Sequence, residues 1–131
     1  MKKITLSYII DDNEFVLLMR EKQLSDHPAF DQIKTFTNGS LALDEINKAI
    51  LHNEQLPLLI LLDLNMPVMN GWEFLDAISL IPTVNKIPIY LFTATVEVAG
   101  IEKAKRYNQI KGFLSKAISS EEIETVTRLF I

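Results

Sequence analysis

The chain of 131 residues carries 13 Lys and Arg against 17 Asp and Glu, a net charge of −4, with 48% hydrophobic residues and no cysteine. Its length suits one self-standing domain over residues 1–131, and its composition is that of an ordinary globular protein. The missing cysteines exclude disulfides and thiolate sites and suit the cytoplasm, the acidic balance argues against nucleic acid as a direct partner, and apolar runs of strand length argue against membrane insertion.

The first strand is predicted over Ile4 to Ile10, closed by the acid pair Asp11 and Asp12. Those acids also cut short the lysine-led apolar start, which is therefore not expected to act as a signal peptide. From Asn13 to about Gln23, Phe15, Leu18 and Met19 recur at helical spacing, and His27-Pro28 closes the segment. Ile33 to Thr37 mixes apolar and polar residues in the manner of an edge strand. Asn38-Gly39-Ser40 is predicted as a turn, followed by a second helix with Leu43, Ile46 and Ile50 on its buried stripe.

Leu58 to Leu62 is continuously apolar, too short for a helix and too unbroken for a half-exposed strand, so it is predicted as a central parallel strand. It delivers Asp63 to the rim of the sheet, followed by the turn-forming residues Asn65, Pro67, Asn70 and Gly71. Asn70 and Glu73 have the spacing of a capping box, and Phe74, Leu75 and Ile78 continue a third helix toward Pro82. Ile87 to Phe92 is a further buried strand, ending at Thr93. Val98, Ile101, Ala104 and Tyr107 give a fourth helix a thin apolar face. A short strand, Ile110 to Leu114, precedes Lys116, and Ser119 with Glu122 caps a fifth helix whose stripe is Ile123, Val126 and Leu129. Five βα units in succession predict an α/β, doubly wound, five-stranded parallel sheet between helices.

In such a sheet ligands gather outside the carboxyl ends of the strands, where Asp11, Asp12, Asp63, Thr93 and Lys116 converge. Three carboxylates brought together repel unless a cation intervenes, and Mg2+ suits a few carboxylates, a loop carbonyl such as that of Asn65, and water. With that charge offset, Asp63 can serve as a nucleophile toward a phosphoryl group, assisted by the Lys116 ammonium and a Thr93 hydrogen bond. Singly, each residue has a plainer role: an Asp after a strand caps a turn, an acid pair suits a helix dipole, and a lone lysine is solvated. Their joint placement at the ends of four predicted strands favours the chemical reading. His27 and His52 sit at helix ends and receive no role beyond capping or solvation. The glycines at 39, 71, 100 and 112 form no phosphate-binding loop. Trp72 is divided between packing and contact.

Taken together, Asp11-Asp12, Asp63, the loop DLNMPVMNGWEFL, Thr93 and Lys116 resemble the receiver domain of two-component response regulators over essentially the whole chain. The resemblance implies a flavodoxin-like sheet in strand order 2-1-3-4-5, as in chemotaxis regulators of this family. It implies that Asp63 takes a phosphoryl group from a phosphohistidine of a sensor kinase or histidine phosphotransfer protein, with Mg2+ held by Asp11, Asp12, Asp63 and Asn65. It further implies Thr93 and Phe113 as switch residues, and a partner surface made by the fourth helix, fifth strand and fifth helix. Two positions vary: Ala117 stands where the family usually has proline, so the bond before it is expected trans, and Phe113 stands where tyrosine is commoner. Without a hydroxyl, the Phe113 ring is expected to lie largely inward.

Because the receiver accounts for all 131 residues, a stand-alone switch acting through partner contacts is expected. The competing reading is a phosphatase or phosphotransferase with an aspartyl nucleophile, resembling haloacid dehalogenases. Those place a second acid two residues after the nucleophile, where this chain has Asn65. A degenerate receiver serving only as an interaction module is the third reading, opposed by the intact acids, Thr93 and Lys116.

Overall fold

The structure, a computed structural model, describes residues 3–66, 69–92, 98–115 and 117–130. Its strands are β1 (Ile4–Ile10), β2 (Phe30–Phe36), β3 (Leu59–Asp63), β4 (Ile89–Phe92) and β5 (Ile110–Leu114). They alternate with α1 (Glu14–Ser25), α2 (Gly39–Leu51), α3 (Gly71–Ser79), α4 (Val98–Ala104) and α5 (Ser120–Thr127). The sheet runs β2-β1-β3-β4-β5 with every neighbouring pair parallel.

Side-chain alternation along β3 divides the core between the two faces of the sheet. Ile60 and Leu62 pack with Ala42 and Ile46 of α2, Phe74, Leu75 and Ile78 of α3, and Ala104 of α4. Leu59 and Leu61 pack on the opposite face with Leu17 and Leu24 of α1 and Ile123 and Val126 of α5. All of β3 is buried, as a central parallel strand must be, whereas edge strand β2 buries Phe30 and leaves Asp31, Gln32 and Thr35 exposed.

The sequence expectations err mainly in phase and boundary. In α1 the buried residues are Leu17, Arg20 and Leu24, while Phe15, Leu18 and Met19 are 73%, 65% and 44% exposed. One residue of phase turns a helix by about 100°, and here it replaces an all-apolar stripe by one that carries an arginine. β2 starts three residues before the expected Ile33, anchored by Phe30. Asn38 is not part of a free turn: its side chain accepts from the Leu41 N–H and caps α2, with Gly39 already helical. A Cβ at Gly39 would lie 3.1 Å from that of Phe74, so this glycine permits close packing of α2 on α3.

Ala42, Ile46 and Ala49 form the buried stripe of α2, with Leu43 partly buried and Ile50 37% exposed. β3 is offset by one residue from the expected strand, leaving Leu58 40% exposed and making Asp63 its last residue. β4 begins only after Pro88, which lacks an N–H for the ladder. α3 stops at Ser79, short of Pro82. Tyr107 lies beyond the end of α4, and Leu129 is 46% exposed in a 3-10 turn after α5. Both expected capping boxes are present, Asn70 with Glu73 and Ser119 with Glu122.

Candidate functional site

β1 and β3 are neighbours in register, Ile10 opposite Leu62, so Asp11 and Asp63 emerge side by side at the carboxyl rim. One carboxylate oxygen from each of Asp11, Asp12 and Asp63 can be chosen so that all lie within 4.8 Å of one another. Asp11 and Asp63 are buried and Asp12 is exposed, so the acid group opens to solvent on one side. Three carboxylates gathered in this way form a candidate site for a divalent cation.

Each acid is oriented by local bonds. The Asp11 N–H donates to the Phe36 carbonyl at 3.0 Å, fixing it to β2, and Asp11 Oδ1 accepts from the Asn13 N–H at 2.9 Å. Asn13 in turn caps α1 by accepting from the Val16 N–H at 3.1 Å. Asp63 Oδ1 faces the Asn65 N–H at 3.4 Å. Behind it the Gly71 N–H donates to the Leu64 carbonyl at 3.0 Å, closing the loop onto the start of α3. A Cβ at Gly71 would stand 2.8 Å from both the Asp63 carbonyl oxygen and Leu64 Cα, so glycine is required there by close approach of backbone to backbone.

Arg20 is the residue that sequence reasoning missed. It is fully buried, with Nη1 donating to Asp11 Oδ2 at 2.8 Å. Its guanidinium carbon lies 3.4 Å from the centroid of the Phe92 ring at the end of β4. Burial lowers its pKa, against the opposing pull of the Asp11 carboxylate and, more weakly, of Asp63. An arginine retained in such a setting remains charged. The available sign was its place in the pattern Leu17-x-x-Arg20-x-x-x-Leu24, on the helix that follows an acid pair.

Thr93, Pro67 and Lys116 lie outside the described residues, as does the bond between Lys116 and Ala117. On the flanks of the Lys116 segment, Glu122 accepts from the Ser115 N–H at 2.8 Å and from the Ser119 N–H at 3.0 Å. Gln23 of α1 donates to the Ile118 carbonyl, tying the same segment to the first helix. Phe113, opposite Leu91 in the sheet, is half-buried against the core on the α2–α4 face. Trp72 stacks on Tyr107 at 5.8 Å with Lys103 Nζ 4.7 Å from its ring, and the Tyr107 hydroxyl donates to Asp76 at 2.6 Å. Packing between α3 and the end of α4 is therefore part of what Trp72 does. His27 accepts from the Ala29 N–H through Nδ1 at 3.1 Å, which leaves Nε2 to donate to Glu124 at 2.8 Å. His52 lies 3.9 Å from Glu54 at the end of α2.

The family model described as "Response regulator receiver domain" matches residues 8–128. A transcriptional regulatory protein, CitT, of Halalkalibacterium halodurans is 32% identical over 92% of this chain, and a protein-glutamate methylesterase/protein-glutamine glutaminase of Methanosarcina mazei is 29% identical over 92%. The chain spans 50% and 31% of those two proteins respectively. A two-component response regulator of Cytophaga hutchinsonii superposes with a TM-score of 0.88 at 23% identity over 98% of each chain. A chemotaxis protein of Vibrio cholerae superposes at 0.81 and 23% identity, over 98% of this chain and 99% of its own. These two likenesses bear out the flavodoxin-like sheet, and the family match covers every acid that converges at its rim. The chain belongs to the response regulator receiver domain family.

Proposed function

We propose that residues 1–131 act as one receiver unit that takes a phosphoryl group onto Asp63 from a phosphohistidine of a sensor kinase or histidine phosphotransfer protein. The observation that carries this reading is the meeting of Asp11, Asp12 and Asp63 within 4.8 Å at the carboxyl rim of neighbouring strands. A carboxylate oxygen of Asp63 attacks phosphorus, the P–N bond of the phosphohistidine breaks, and the leaving imidazole nitrogen takes up a proton from water. Asp63 is left as an acyl phosphate. Asp11, Asp12, Asp63 and the Asn65 carbonyl would hold Mg2+, which when bound offsets charge on the phosphoryl oxygens. In this reading the Lys116 ammonium faces the same oxygens and the Thr93 hydroxyl donates to one of them.

The unit is read as an acceptor that takes part in phosphotransfer and can shed its own phosphoryl group, rather than as an enzyme turning over external esters. Asn65 supports this, because an amide cannot do the acid–base work that such turnover needs. Cysteine-free composition and a kinase-type donor suit the cytoplasm. For output, Thr93 moves toward the phosphoryl group and Phe113 turns further in, reshaping the face made by α4, β5 and α5 for a downstream protein. Phe113 already packs against the core and has no hydroxyl to hold it in solvent, which biases the switch toward its active arrangement. The donor is read as approaching over α1, whose exposed Phe15, Leu18 and Met19 begin three residues after Asp12.

Incubation with acetyl phosphate and Mg2+ tests the assignment. The parent chain is expected to incorporate a phosphoryl group and Asp63→Asn to incorporate none, since the amide keeps the shape and removes the nucleophile. Incorporation by the variant at the parent's rate would refute it.

A further inference from the structure

Arg20 fills a position on the buried stripe of α1, between Leu17 and Leu24, and reaches into the acid group. It is anchored at two strand ends. Nη1 holds Asp11 Oδ2 at the end of β1, and the guanidinium plane lies 3.4 Å over the ring of Phe92 at the end of β4. In the sheet order, β3 runs between those two strands, so a group bridging them lies beside the strand end that carries Asp63. The attraction between the Asp63 carboxylate and Arg20 agrees with that placement. Asp11 meanwhile has both oxygens engaged, Oδ1 by the Asn13 N–H and Oδ2 by Arg20.

We propose that Arg20 is a resident cation of the acid site, a positioning residue that neutralises Asp11 and Asp63 in part, keeps the site assembled without metal, and weakens its affinity for Mg2+. The inference rests on the reading that these acids hold a divalent cation. The effect is electrostatic: a fixed positive charge against two of three carboxylates removes part of the field that attracts a second cation, and repels that cation directly. It also engages one of the two Asp11 oxygens, Oδ2. The same pair makes the metal-free site tolerable, because it sets a buried positive charge beside the converging carboxylates.

The test uses the full chain as Arg20→Met, which keeps a long unbranched side chain and removes the charge, and as Arg20→Lys, which keeps the charge. Mg2+ binding is measured by titration calorimetry, and thermal midpoints are measured with EDTA and with Mg2+. For Arg20→Met, Mg2+ is expected to bind about tenfold or more tightly than to the parent, the metal-free midpoint to fall, and Mg2+ to raise the midpoint by more than in the parent. Arg20→Lys is expected to stay within about threefold of the parent in Mg2+ affinity. If Arg20→Met folds only when Mg2+ is added, the ion is replacing the lost charge and the proposal stands. Equal or weaker Mg2+ binding by Arg20→Met, or its failure to fold at any Mg2+ concentration, overturns the proposal and leaves the phosphoacceptor reading intact. Absence of Mg2+ binding in parent and variants alike overturns both.

Discussion

Gly71 and Glu122 show how single residues away from the acids hold the segments that follow β3 and β5. At Gly71 an added methyl would press on the Asp63–Leu64 backbone, which is the end of β3 itself. Gly71→Ala is expected to cost about 1–3 kcal/mol in denaturant unfolding and to slow phosphoryl uptake as Asp63 is displaced. A variant as stable and as fast as the parent would show that the loop yields freely. Glu122 closes the β5–α5 segment by accepting from Ser115 and Ser119. Burial pushes its pKa up, but those N–H donors outweigh it and the carboxyl settles below its ordinary value. A carboxylate lowered in this way adds stability above its unfolded pKa and loses it as pH falls through the folded value. Glu122→Gln should therefore lower the thermal midpoint at neutral pH, with the gap to the parent closing below about pH 4. A gap that persists unchanged into acid would show that shape, not charge, closes the segment.

At the scale of elements, capping chemistry and continuous apolar runs were legible in the chain, while helix phase was legible only where apolar residues alone decide it. Asn70 with Glu73 and Ser119 with Glu122 announce α3 and α5 because a cap is a local contact among four consecutive residues. In α1 two sets of residues compete, and the buried one, Leu17, Arg20 and Leu24, pairs its arginine with Asp11 just past the end of β1, a partner that periodicity does not see. The discarded set, Phe15, Leu18 and Met19, is left facing solvent beside the rim. Leu18→Asp is expected to change stability by less than about 0.5 kcal/mol and to leave uptake from acetyl phosphate unchanged. Transfer from a histidine phosphotransfer protein that loads the parent is expected to fall. Parallel loss with both donors would mean that α1 acts on the site rather than on the donor.

For the molecule as a whole, five parallel strands alternating with five helices bring acids far apart in the chain, at 11, 12 and 63, onto one rim. That convergence was legible because strand ends follow from apolar runs and a parallel sheet aligns them. The buried arginine was not, because its charge is explained only by what the fold places around it. In the proposed function this rim carries a phosphoryl group on Asp63. Reductive trapping tests it most directly: the chain is exposed to acetyl phosphate and Mg2+, treated with borohydride to convert an acyl phosphate to the alcohol, and mapped by peptide mass spectrometry. Homoserine at position 63, dependent on Mg2+ and absent from Asp63→Asn, is the expected result. Trapped product at another residue, or none under conditions where Mg2+ binding is demonstrated, would contradict it.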